Sequence, residues 1–532
     1  MNTIQRVLDK YDSKVYKNRK GHFVEVGNND NNNEITANVR TIPGIITQRG
    51  CCYAGCKGVV LGPIKDAFII THGPIGCAFY TWGTRRHKAR KGEGEDNYLQ
   101  YCFSTDLQEA DIVFGGEKKL KQAISEAMDL FKPHTIFICS TCPVGLIGDD
   151  IHAVAKWAEK EYGIKCVAFS CEGYKGVSQS AGHHIANNQL LRYVVGEGDR
   201  EIKTKYAINL LGEYNIGGDG WETERLLKRI GYEVVATFTG GSKMDQIKNA
   251  HKANLSLVQC HRSINYIAEM IETKFGIPWM KVNFIGVEAT IKSLRDIARY
   301  FGDPELMERT EEVIADELAQ IADQMEYYRG KLKGKTAAIY VGGSRSHHYQ
   351  DLLRDLGVRT ILAGYEFAHR EDYEGREVLP FIKMDADNKN IESLIVEPDP
   401  EKYHLFLSEE DLKRLREEKL IDYYGGMVKD MENGTYMVDD LNHYETEELL
   451  KALKPDIFFS GIKDKFVAQK AGILSRQLHS YDYSGPYSCF RGTVNFARDI
   501  TMGIYAPAWN YVKAPWKMAP ILVGSLGGEK AC

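Results

Sequence analysis

Three cysteines in the first third of the chain stand beside glycine or proline in segments with no shared spacing: Cys51 in R-G-C-C-Y-A-G-C, Cys77 in H-G-P-I-G-C and Cys142 in S-T-C-P-V-G. Structural zinc sites bring thiolates in tight pairs, because one short turn must present two sulfurs to one ion. These three are too dispersed for that and too irregular for a disulfide framework, so they read as ligands of an iron–sulfur cluster. Ordinary clusters take four thiolates. The missing ligands must come from elsewhere, another chain included, which implies a shared cluster and a partner.

Other candidates fall just beyond the carboxyl ends of predicted strands, where open α/β sheets bind ligands. Cys142 follows I-F-I-C-S, Cys260 follows L-S-L-V-Q, Gly342 and Gly343 follow A-A-I-Y-V, and Lys463 follows I-F-F-S-G-I. A lone Cys260 would ordinarily be core; the coincidence of positions favours a ligand. Arg85 follows Cys77, Gln179 and His183 lie in S-Q-S-A-G-H-H, Arg262 follows Cys260, and Arg345 follows the glycine pair. Cations and N–H donors suit an anionic sulfide cluster or a polycarboxylate. The run T-R-R-H-K-A-R-K (84–91) otherwise reads as a solvated charged stretch, with Arg85 excepted. His183 and His184 are adjacent, so in a helix only one faces a given site.

Positioning these groups requires elements, and short β-branched runs alternate with amphipathic helices: strands near 134–140, 166–170, 206–211, 233–238, 255–259, 336–341, 359–363 and 456–460, and helices near 116–130, 149–163, 221–230, 263–276, 290–301, 304–330 and 463–471. This is α/β texture with parallel sheets. At roughly 150 residues per domain, 532 residues imply three α/β domains, each with a mainly parallel sheet flanked by helices. The expected division is 1–195 with 490–532, then 196–335, then 336–489. The stretch 384–434, with E-P-D-P, a charged helix and M-E-N-G-T-Y, reads as a surface insertion.

Composition excludes several functions. A net charge of −5 and pI near 6.3 argue against a nucleic-acid footprint. No apolar run reaches the ~18 residues of a membrane span, and Met1–Asp12 has no signal-peptide core, so the cytoplasm is expected. Twelve cysteines fit a reducing compartment where thiols serve metals or sit buried. G-K-T at 334–336 is no P-loop: Arg329 stands at the required glycine, and the motif precedes its strand. No G-x-G-x-x-G occurs, and G-V-S-Q-S (176–180) ends in Ser180 where a nucleophile elbow needs glycine.

Together with H-S-Y-D-Y-S-G-P-Y (479–487), the segments G-P-I-K-D (62–66), F-S-T-D-L-Q-E-A-D-I-V-F-G-G (103–116), G-L-I-G-D-D-I (145–151), G-E-Y-N-I-G-G-D (212–219), F-G-I-P-W (275–279), G-Y-E-F-A-H (364–369) and G-I-K-D-K-F (461–466) resemble the α chains of nitrogenase molybdenum–iron proteins. The resemblance runs from about residue 40 to 516. It implies the nitrogenase component 1 fold and a catalytic subunit that reduces dinitrogen to ammonia with hydrogen evolution. It assigns Cys51, Cys77 and Cys142 to an [8Fe-7S] P-cluster shared with a β chain. Cys260 and His479 would hold an iron–molybdenum–sulfur–carbon cofactor carrying R-homocitrate. Gln179 and Lys463 would contact homocitrate; Arg85, His183, Arg345 and the Gly342–Gly343 amides would face the cofactor sulfides. Val59 would shape substrate access, Arg262 would support the cofactor, and His183 would be a proton donor. The resemblance further implies an α2β2 assembly and electrons from a separate iron protein that hydrolyses MgATP.

Some positions depart from the family pattern. Cys52 and Cys56 are extra thiols beside Cys51, read as structural. Asp464 stands where glutamate is common after the homocitrate lysine. The 384–434 stretch resembles the long-insertion subgroup of anaerobic bacteria, and Trp279 is molybdenum-like. The runner-up reading is a non-catalytic scaffold for cofactor maturation, which typically lacks the counterpart of His479. Protochlorophyllide-type reductases lack the Cys260 and His479 pair, and a metal-free α/β protein would be colourless when purified.

Overall fold

In the computed structural model the described residues are 3–27, 34–37, 49–83, 96–176, 178–366, 368–377, 394–461, 464–478 and 484–512. Strand β1 (Phe23–Glu25) is followed by β2 (Phe68–His72), β3 (Phe103–Ser104), β4 (Thr135–Ser140) and β5 (Lys165–Phe169), and the last four form a parallel sheet in the order β3-β2-β4-β5. A second parallel sheet, β7-β6-β8-β9, uses β6 (Ala207–Glu213), β7 (Glu233–Thr239), β8 (Leu255–Val258) and β9 (Trp279–Lys281). The third runs β1-β12-β11-β10-β13-β14, from β10 (Thr336–Val341), β11 (Arg359–Tyr365), β12 (Tyr436–Asp439), β13 (Ile457–Ser460) and β14 (Leu474–Gln477). It is parallel except for β1, whose register sets Phe23 opposite Val438. The fold is therefore α/β, with mainly parallel sheets between helices. Residues 3–25 lie with the third sheet: Ile4, Val7, Leu8 and Phe23 pack on Tyr340, Val438 and Phe458.

Strand β4 shows why these segments form buried strands. Ile136 and Ile138 face one cluster, with Leu120, Ile124 and Val154 of flanking helices; Phe137 and Cys139 face the other way, into the large core shared by all three sheets. Both faces are covered, as helical crossovers require of a parallel sheet, and each buried large side chain contributes about 1.5–3 kcal/mol. Helix ends follow local chemistry. Asp150 accepts from Ala153 N at 2.9 Å to start Ile151–Tyr162, which stops at Gly163 (φ 66°). Asp303 and Pro304 open the long helix Pro304–Leu332.

Several elements escape the periodicity reading. Helix Gln179–Tyr193 is buried nearly all round, so it carries no polar stripe to betray a 3.6-residue period. The 394–434 part of the expected surface insertion is not only surface. Leu412, Leu415, Ile421, Tyr424 and Met427 are buried, and Tyr424 stacks on His261 with centroids 4.4 Å apart. A charged helix, Glu409–Glu417, supplies its exposed face. Among the described residues no helix is long and apolar enough to cross a membrane.

Candidate functional site

The three sheets converge on one cavity. Val59, Gln179, His183, Cys260, Gly342, Gly343 and Arg345 all line it, joined by Glu213, Gln259, Ser344 and His348. Each arrives by a definite route. Cys260 lies past the end of β8 and precedes helix His261–Phe275. Gly342 and Gly343 leave β10, and Arg345 opens the next helix, Arg345–Asp355. Gln179 and His183 sit one turn apart on helix Gln179–Tyr193, and Val59 is on the helical segment Ala54–Leu61.

Glycines set the close approaches. A Cβ at Gly343, where φ is +64°, would lie 2.8 Å from Cys260 Sγ, and one at Gly212, at φ +76°, would lie 2.8 Å from Cys260 N. Ser344 N donates to Cys260 Sγ at 3.4 Å. Beneath it Ser344 Oγ meets His261 Nδ1 at 2.9 Å, and His261 Nε2 lies 2.9 Å from Asp372 Oδ1. Arg262, expected at the cofactor, points elsewhere: it is buried with its guanidinium 3.3 Å from Asp372 and 3.7 Å from Glu371. Two residues past Cys260 the helix turns the side chain away from the cavity, so its part is to neutralise these acids and hold the network behind the thiol.

The cavity charge is mixed. Arg345 lies 3.8 Å from Asp219, whose other oxygen accepts from Tyr487 N at 2.6 Å and Ser488 N at 3.0 Å. Burial and the nearby Asp219 push the Glu213 carboxyl up to about 7, against the pull of Arg345. Burial holds His348 well below its usual range. His184 faces away, its ring 5.1 Å from that of Tyr266, and burial together with Arg262 lowers it to about 3. Glu213, Asp219 and His348 were not singled out from sequence. The first two lie in G-E-Y-N-I-G-G-D at the end of β6, where position was the available signal.

Cys51, Cys77 and Cys142 gather at a second place, nearer the surface. A Cβ on Gly173 would be 3.0 Å from Cys142 Sγ and 3.5 Å from Cys51 Sγ. Burial, then the neighbouring Cys51 and Cys142, raise the Cys77 thiol. Cys51 is exposed and the other two half-buried. Around them Ile75, Phe79, Tyr80 and Leu146 are each more than half exposed. The two places share a backbone-to-backbone contact: a Cβ on Gly55 would lie 1.9 Å from Gln179 O, and one on Gly182 would lie 1.9 Å from Cys52 O. Arg85, Lys463 and His479 lie outside the described residues.

An α/β scaffold that keeps one thiol in a cavity among its sheets and three more at a half-open edge defines an oxidoreductase built around metal–sulfur groups. The family model described as nitrogenase component 1 type oxidoreductase matches residues 51–505. The chain belongs to that family. It is 59% identical over 520 residues to the nitrogenase molybdenum–iron protein alpha chain of Clostridium pasteurianum, covering 97% of each, and 54% identical over 514 residues to that of Methanosarcina barkeri, covering 97% of this chain and 96% of that one. The solved structure "Nitrogenase Cp1 at pH 6.5" superposes with a TM-score of 0.93 at 58% identity, covering 97% of this chain and 100% of that one. Relatives so named favour the catalytic reading over the maturation scaffold.

Proposed function

We propose that this chain is the catalytic α subunit of a molybdenum nitrogenase, reducing dinitrogen to ammonia with hydrogen evolution in the cytoplasm. The observation that carries the reading is the convergence of Cys260, Gln179, His183, Arg345 and two glycines from separate sheets on one cavity. The residues present fit an iron–molybdenum cofactor with homocitrate. A soft thiol suits iron; glycine at 343 leaves open the space at Cys260 Sγ that a side chain would fill; Arg345 suits an anionic group. Cys260 and His479 would be its ligands, with Gln179 and Lys463 toward homocitrate and Arg85 toward its sulfides. When bound, that group supplies the multi-electron reduction of dinitrogen.

The chain's own residues bind, orient and deliver protons. Ser344 N holds Cys260 Sγ in place, and Arg345 is steadied by Asp219. His183 Nδ1 or Nε2 offers a proton at the cavity wall, and Val59 narrows the approach from its side. Cys51, Cys77 and Cys142 would hold their share of an [8Fe-7S] P-cluster. Their half-open position beside exposed apolar side chains supports a partner that completes the shell, the β chain of an α2β2 assembly. Electrons would come from the MgATP-hydrolysing iron protein, in keeping with the lack of a P-loop here. The divisions near 195 and 335 are part of this proposal, except that residues 3–25, expected in the first unit, go with the third, because β1 pairs with β12 there.

Anaerobic purification with the β partner, molybdenum and iron counts and a ¹⁵N₂ assay test the reading. Cys260→Ala should abolish ¹⁵N-ammonia formation, and normal ammonia production by that variant would refute the assignment.

A further inference from the structure

Behind the half-open thiols lies a second sulfur set that the proposed function does not use. Cys56 sits in Ala54–Leu61, Cys139 is the penultimate residue of β4, and Cys171 follows β5. All three are fully buried, and their sulfurs lie within 4.8 Å of one another. A buried cysteine is ordinarily a small apolar filler, and Cys56, Cys139 and Cys171 share one buried cluster with Phe137 and Phe169. That explanation serves each thiol singly. It leaves unexplained why three meet at one point beside a buried lysine, Lys57, which acts on Cys139 although burial disfavours its charged form. A cation in the core requires a compensating anion. Burial opposes a charged Cys139, but hydrogen bonds from Cys171 and Cys56, with Lys57 beside them, outweigh it and bring the Cys139 thiol down. Burial pushes Cys56 and Cys171 well up, so they act as donors to it.

We propose that Cys56, Cys139 and Cys171 form a three-thiolate site for a soft monovalent cation, copper(I). The centre of an equilateral triangle of side 4.8 Å is 4.8/√3, about 2.8 Å, from each corner, an upper bound for this set. Metal–thiolate bonds are about 2.3 Å, so the sulfurs close by only a few tenths of an ångström. An all-sulfur donor set selects soft ions. Zinc takes four ligands in closed sites, and among the described residues the ligand group here is these three thiols; Ser140 O, 3.6 Å from Cys171 Sγ, is that thiol's hydrogen-bond partner. Three-coordinate copper(I) matches the number present. As the ion enters, the protons of Cys56 and Cys171 leave to solvent, no electron changes hands, and Lys57 offsets part of the remaining negative charge. A narrow cavity bordered by Lys57, Gly58, Thr81 and Trp82 lies next to Lys57, one residue after Cys56.

The test uses the purified full chain in its native assembly with its own metals retained. One equivalent of copper(I) is offered against bicinchoninate, followed by copper and iron counts and copper K-edge absorption. Expected are one copper per chain, unchanged iron, three sulfurs near 2.3 Å, and roughly tenfold or greater weakening in Cys139→Ser. Absence of retained copper, loss of iron on uptake, or a two-sulfur shell from an exposed thiol such as Cys102 would each overturn the proposal. So would unchanged retention by Cys139→Ser. The edge spectrum of the unsubstituted protein decides the matter even if that variant fails to fold.

Discussion

Gly182→Ala puts one methyl carbon where helix Gln179–Tyr193 meets the segment that begins at Cys51. That carbon would lie 1.9 Å from Cys52 O and 2.5 Å from Cys56 N. Carbon approaches a carbonyl oxygen to about 3.3 Å at closest, so the two backbones must part by about 1.4 Å. Both contacts are main chain, and no flexible side chain can yield instead. Overpacking of this kind costs about 1–3 kcal/mol, offset in part by the ~1 kcal/mol that alanine gains over glycine in a helix. The larger consequence is positional. Gln179 and His183 ride on the displaced helix, one turn before and one residue after the substitution, while Val59 stays on the other partner. A displacement near 1 Å costs on the order of 100-fold in rate, so ¹⁵N-ammonia formation should fall about that far while the fold survives. The assay reads ¹⁵N₂ incorporation, hydrogen, metal content and melting on one preparation. Wild-type rates with wild-type melting would refute the backbone-to-backbone contact and the coupling drawn from it.

Three more perturbations probe the cavity. Burial and Asp219 raise the Glu213 carboxyl from 4.5 to about 7, so its stabilisation is intact below pH 4.5 and is lost as pH rises through 7. The cost reaches about 3 kcal/mol; Glu213→Gln should flatten that fall in urea midpoints measured against pH, and parallel curves would contradict it. Gly343→Ala should lower molybdenum content, since the added carbon would sit 2.8 Å from Cys260 Sγ at φ +64°, a conformation costing roughly 1–2 kcal/mol for a non-glycine residue; full metal loading would count against the placement. His183→Gln should impair dinitrogen reduction more than proton reduction in paired assays, and equal losses would count against a specific role.

Much of the scaffold was legible in local pattern. β10 spans the expected 336–341, and β4, β7 and the helix Glu117–Leu130 fall within a residue of expectation, because β-branched runs and capped amphipathic stretches carry their period in plain view. The two-residue β3 and the uniformly buried helix Gln179–Tyr193 show no such period. The charged insertion concealed Tyr424, whose burial depends on His261 more than 160 positions earlier.

The chemistry of the chain was set by residue type: thiols beside glycine, cations beyond strand ends, and segments specific enough to identify a family. Which of those residues meet was decided by the packing of three sheets. Distances such as Gly343 to Cys260, or Cys56 to Cys139 and Cys171, join positions 83 to 115 residues apart, and no local propensity encodes them. Arg262 makes the point most sharply. Its place two residues after Cys260 suggested the cavity, yet the turn of the helix and two buried carboxylates on the distant short helix Arg370–Glu374 drew it to the opposite side, because a buried guanidinium goes where the charge is that can balance it.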